Sequence, residues 1–160
     1  MIVRTDNDDG APEAKLQYYI EKLEPKHQKL FRSLRAALRK RFPTANELAY
    51  DYGHAVVIGY APAEHGIDAV VAIRGSVTGV SLYFNQGPRL PDPKRLLRGS
   101  GKLTRFIEVD AASQLADPNV DALIAAAISH ATVPLPSKGK GILVIKSDGA
   151  KKSARKKSSK

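Results

Sequence analysis

LAYDYGHAVVIGYAPAEHGIDAVVAIRGSVTGVSLYF, residues 48–84, is the stretch that decides the fold. Four runs rich in Val, Ile and Tyr stand in it, at 48–52, 55–60, 69–74 and 80–84. Gly53, the segment 62–66 and the segment 75–79 separate them, and such breaks between β-branched and aromatic runs read as turns. The connections are too short for crossover helices, so neighbouring strands should pair antiparallel, as a meander. In the third run Ala69, Val71 and Ile73 alternate with Asp68, Val70 and Ala72, which predicts a half-buried strand.

Helices are predicted on either side of this block. Upstream, residues 1–12 are polar and acidic and read as a disordered end. Leu16, Tyr19, Ile20 and Leu23 fall at helical spacing and predict a first helix over 13–23. A second, over 26–41, carries the apolar stripe Leu30, Phe31, Leu34, Ala37 and Leu38, with Lys29, Arg32, Arg35 and Arg39 read onto the opposite face. Phe42-Pro43 ends it, because a residue before proline is steered out of the helical region.

Downstream, residues 90–109 (LPDPKRLLRGSGKLTRFIEV) predict a turn, a short helix over 93–97 capped by Asp92, a glycine-rich basic loop, and a core strand over 103–109. Asp117-Pro118 repeats the cap signature and opens a helix over 118–131. Residues 141–145 (GILVI) form a brief β-like run that adds an edge strand or stays loose. The fold class is therefore α+β: an antiparallel meander of about four to five strands packed with N-terminal and C-terminal helices. One domain spans 13–136, and a basic Lys/Ser/Ala-rich tail, mostly disordered, spans 137–160.

The net charge of +10 is unevenly placed. Residues 137–160 carry +8, residues 26–41 carry +7 and residues 90–109 carry +3, so the rest of the chain is net acidic. Such segregation suits a domain with a basic side and an acidic side, followed by a cationic tail. There is no cysteine, which removes disulfides, thiolate zinc sites and cysteine nucleophiles and fits a reducing cytoplasm. No apolar run approaches the roughly 18 residues of a membrane span. The polar, acidic N-terminus is not a secretory signal. These features predict a cytoplasmic protein with no membrane partner.

The chemistry-bearing candidates cluster in the basic loop. Arg98, Gly99, Ser100, Gly101, Lys102 and Arg105 could form a backbone nest flanked by cations, an arrangement that binds anions. The simpler reading is a turn that needs glycine and collects surface cations. The loop is not a Walker A motif, since Leu96 and Leu103 stand where glycine and Ser/Thr are required. It is not a dinucleotide fingerprint either, since Thr104 replaces the third glycine. Tyr50, Tyr52 and Tyr83 are pocket aromatics that would stack on a flat ligand, or sheet packing. Lys151, Lys152, Arg155, Lys156 and Lys157 in the tail would contact nucleic-acid phosphates without sequence preference, or keep the chain soluble. His27, His54, His65 and His130 stand at no ligand spacing, and no serine sits in a nucleophile elbow. The reading leans away from an enzyme, with no metal and no cofactor, towards a binding module for an anionic ligand.

VSLYFNQGPRLPDPKRLLRGSGKLTRFIEV, followed by ADPNVDALIAAAISHA, resembles the YdhG-like family, a domain of unknown function. The resemblance runs over about residues 26–131, and 96–105 is its specific part. It implies an α+β fold with helices on an antiparallel sheet. Some relatives are described as frataxin-like iron chaperones, so intracellular iron handling is an alternative the resemblance brings. Iron delivery of that kind wants hard oxygen ligands. The spare acids Asp6, Asp8, Asp9 and Glu13 lie at the N-terminal end.

Overall fold

The four runs of 48–84 become four consecutive antiparallel strands, β1 Asn46–Asp51, β2 Ala55–Ala61, β3 Val71–Ser76 and β4 Gly79–Asn85. β5, Thr104–Val109, pairs antiparallel with β4 and continues the meander. The computed structural model describes residues 2–147, with side chains from Gly10 to Lys146. Tight turns make the hairpins. At the β1–β2 turn Tyr52 N–H donates to the Ala55 carbonyl at 2.9 Å and Gly53 N–H to the Asp51 carboxylate at 2.9 Å.

The sheet has six strands, in the order β5-β4-β3-β2-β1-β6, and it is mixed. The sixth, β6 Leu143–Ser147, lies parallel to β1 at the opposite edge from β5. This corrects the expected four to five antiparallel strands. A parallel partner needs a long crossover, and the helix after β5 together with the proline-bearing segment 130–142 supplies one. No local pattern in GILVI names β1 as its partner.

Three helices, α1 Ile2–Ile20, α2 Pro25–Arg41 and α3 Pro118–Ser129, cover one face of the sheet. α1 starts well before the helix read over 13–23 and takes in Pro12, where the sequence suggested a disordered end. Leu16, Tyr19 and Ile20 anchor its last turns. In α2, Phe31, Leu34 and Leu38 are fully buried, as the stripe predicted. Arg35 is buried with them, not on the basic face where the sequence reading put it. Alternation on the strands completes this core: Ile58 and Tyr60 of β2, Val71 and Ile73 of β3, Val80, Leu82 and Phe84 of β4.

The two Asp-Pro signatures resolve differently. Asp117 caps α3, accepting from Asn119 N–H at 2.8 Å and Val120 N–H at 3.4 Å. Asp92 also accepts backbone bonds, from Leu96 and Leu97 N–H at 2.9 and 2.8 Å, but no helix follows. Arg95 adopts a left-handed φ of 53°, which breaks the predicted 93–97 helix after one turn. The chain then extends, and Arg98 pairs with Phe106 on the outer edge of β5. Replacing Asp117 by alanine should cost about 1 kcal/mol in urea unfolding, since two N-terminal amides of α3 lose their acceptor.

Candidate functional site

Strand alternation sends a second set of side chains to the face that α1–α3 leave uncovered. Two cross-strand rows define it. Tyr50, Val57, Arg74, Ser81 and Glu108 stand opposite one another across β1 to β5. Leu48, Gly59, Ala72, Tyr83 and Phe106 form the neighbouring row. The loop 62–69 folds over one end of the second row, where Leu48 is fully buried and Gly66 lies against the Tyr50 hydroxyl. The remaining surface is half-buried and aromatic at both sides.

Tyr50 and Tyr52 stack with ring centroids 5.8 Å apart and planes within 3°. Tyr83 and Phe106 stack at 4.9 Å and 24°. The Tyr50 and Tyr83 strands are three places apart, so the two pairs are separated by about 14 Å at the usual strand spacing. Arg74, on β3, stands between them. Its Nη1 donates to Ser76 Oγ at 3.3 Å, and among the described residues no carboxylate comes within ion-pair distance of it. Burial raises the phenol pKa of Tyr50, with the neighbouring Tyr52 adding to it, and burial raises that of Tyr52. Both hydroxyls therefore stay neutral at ordinary pH.

The basic loop sits at the β5 rim of this face. Arg98 N–H donates to the Phe106 carbonyl at 2.7 Å and its carbonyl accepts from Phe106 N–H at 3.0 Å, which closes the outer edge of β5. The Arg98 guanidinium is 3.5 Å from Glu108, with both side chains about two-thirds exposed, so this pair is worth little. Gly99 lies against the Phe106 ring. Ser100, Gly101 and Lys102 are exposed. Arg105 turns back on its own loop: Nη1 donates to the carbonyls of Gly101 and Thr104. Its charge is thus already engaged with the carbonyls that form the turn.

Of the sequence candidates, Tyr50, Tyr52 and Tyr83 therefore share one face, with Arg98 and Gly99 at its rim and Arg105 directed into the loop. Lys151, Lys152, Arg155, Lys156 and Lys157 lie outside the described residues. Two residues of the face escaped the sequence reading. Arg74 is the one charge in the run AVVAIRG, where polar alternation is too weak to name a face. Phe106 occupies the polar register of TRFIEV, between Thr104 and Glu108, where it meets Tyr83 across the strands.

The histidines stay apart. His54 Nδ1 is 3.1 Å from the Tyr52 carbonyl, and His27 Nδ1 is 3.9 Å from Glu24. Among the described residues no three of His, Cys, Asp and Glu gather to hold a metal ion. No helix is long and apolar enough to cross a membrane, again among the described residues. Comparison with protein-family models, with curated proteins and with solved structures finds no match to this chain.

Proposed function

We propose that the protein is a non-enzymatic binding module for a flat anionic ligand, with the chemistry of a nucleotide unit, seated on the open face of the sheet. The observation that carries this reading is Arg74. A cation with no carboxylate partner among the described residues, on a β-sheet between two stacked aromatic pairs, is placed to meet a phosphate while a neighbouring ring takes the base. Lys102, in the exposed loop at the β5 rim, adds positive charge, while Arg98 is offset by Glu108. The likeness to the YdhG-like family fits a small α+β binding domain and names no ligand. For the alternative of iron handling, no three of His, Cys, Asp and Glu gather among the described residues, and the side chains of Asp6, Asp8 and Asp9 lie outside them.

The protein holds six tyrosines and no tryptophan, so its near-ultraviolet emission reports on tyrosines, three of them on this face. Titration with adenosine monophosphate and with a short single-stranded oligonucleotide should quench that emission saturably. Arg74→Gln should weaken binding about tenfold or more, the equivalent of about 1.4 kcal/mol, because a charge-assisted bond to phosphate is lost. Tyr83→Ala should cost about 1–3 kcal/mol of stacking. Unquenched emission with both probes, or equal affinity in Arg74→Gln, would remove the proposal. Binding of the oligonucleotide alone would identify a strand rather than a free nucleotide as the ligand.

A further inference from the structure

The helix-covered side of the sheet holds a second cluster of polar groups, remote from Arg74. Glu47 of β1 and Tyr60 of β2 are cross-strand partners, both buried beneath α2. The Glu47 carboxylate accepts from Arg35 Nε at 2.9 Å, from Arg35 Nη2 at 2.8 Å and from the Tyr60 hydroxyl at 2.8 Å. Arg35 is its nearest counter-ion and is shared with Glu13. Arg39 approaches the same carboxylate only to 3.7 Å and leaves half of its side chain exposed. Arg35 and Arg39 together balance Glu13 and Glu47, and Arg39 is the more exposed and more loosely held of the two cations.

Arg39 faces a cleft of about 260 Å³ lined also by Glu47 and Tyr60, by Phe42, Pro43 and Ala45, and by the turn 139–141. The turn is clamped where it lies. Gly141 N–H donates to the Pro43 carbonyl at 3.0 Å, Ile142 N–H to Asn46 Oδ1 at 3.1 Å and Glu47 N–H to the Ile142 carbonyl at 2.9 Å. Gly141 passes so close to Ala45 that any side chain would strike the Ala45 carbonyl. The consequence is that Lys140 is held at the mouth of the cleft, and among the described residues it has no carboxylate partner. The half-exposed Arg39, the exposed Lys140 and an apolar wall converge on one half-open cleft.

We infer that this cleft is a binding site for a small organic anion, a phosphate or carboxylate group on a short apolar body. The anion sits between Arg39 and Lys140, and the body lies against Phe42, Pro43 and Ala45. Glu47 is no partner for the ligand, because its carboxylate is buried and already accepts three hydrogen bonds. It holds Tyr60 and Arg35 in place, and the Phe42 ring stacks on Tyr60 at 5.9 Å.

The full chain, labelled with ¹⁵N, would be titrated with inorganic phosphate and with phenyl phosphate. The amides of Gly139, Lys140 and Gly141 should shift together and saturate, with phenyl phosphate binding about tenfold tighter through its ring. Lys140→Ala removes an exposed side chain and leaves the fold intact; it should weaken both probes about tenfold. Arg39→Gln should do the same. Arg74→Gln should change neither, which separates this site from the open face. Still amides at 139–141 with both probes, or shifts that persist undiminished in Lys140→Ala, would overturn the inference. Equal affinity for the two probes would overturn the part assigned to the apolar wall.

Discussion

Replacing Arg35 with alanine is expected to destabilise the fold by about 3–5 kcal/mol, among the largest losses any single polar substitution can cause here. The reason is the state in which it leaves Glu47. That side chain is 5% exposed, and without Arg35 it keeps only the Tyr60 hydroxyl and the distant Arg39. A buried carboxylate stripped of its counter-ion retains its desolvation cost and loses its compensation. Arg35 also reaches Glu13 of α1, donating from Nη1 and Nη2 at 2.9 Å each, so one guanidinium joins α1, α2 and β1. Burial opposes the charge on Arg35, but its bonds to Glu47 and then Glu13 outweigh it and hold the guanidinium protonated at all accessible pH. Chemical denaturation of the wild type and Arg35→Ala would measure the loss. A cost below about 1 kcal/mol would mean that the pair is not sealed from water.

The same network makes a pH prediction with a definite sign. The bond from Arg35 lowers the Glu13 pKa from 4.5 to about 2, against the opposing effect of burial and with help from Gln17. A depressed folded-state pKa contributes stability above the unfolded value and loses it as pH falls through the folded one. The contribution from Glu13 should therefore be complete above about pH 4.5 and fade between 4.5 and 2. Its side chain is 44% exposed, so solvent screening limits the effect to about 1 kcal/mol. In Glu13→Gln the acid limb of the stability curve should flatten by that amount.

Neither feature is visible in the sequence, and the reasons are physical. The meander of β1–β4 is legible because its hairpins are local: turn residues and β-branched runs lie within a few positions of each other. The Asp117-Pro118 cap is legible for the same reason. β6 is not, because its partner lies almost a hundred residues earlier and a run of five apolar residues fits any edge. Arg35 belongs to the buried arc by its own position, four residues after Phe31 and three before Leu38. Its charge places it on the outer face in any hydropathy reading, and only Glu47 across the interface justifies its burial. Glu47 in turn stands just ahead of the first β run, where nothing marks it as interior. The open face is half legible. The tyrosines announce themselves, whereas Arg74 acquires meaning only when the register sets it between them. The cleft at residues 139–141 is invisible in the sequence, because those residues read as the start of a basic tail.

Phe31→Ala should cost about 3–5 kcal/mol, and the way this cost couples to Gly75 tests how α2 seats on the sheet. Phe31 is fully buried, and its ring lies directly over β3 at Gly75. A Cβ on Gly75 would stand 2.8 Å from Phe31 Cδ2 and 2.9 Å from Leu23 Cδ1, closer than side-chain carbons approach. The glycine is therefore required by contact, since β3 would otherwise favour a residue with a side chain. Gly75→Ala alone should lose about 1–3 kcal/mol by overpacking. In the Phe31→Ala background the ring is gone, and the Leu23 methyl, the far end of a flexible side chain, can move into the void to make room for the new one, so the same substitution should cost less. The double variant should then be at least about 1 kcal/mol more stable than the sum of the two single losses predicts, a coupling expected only of groups in direct contact. Strict additivity in denaturant unfolding would show that the Phe31 ring does not rest on Gly75. The junction of α2 with the sheet would then have to be placed elsewhere.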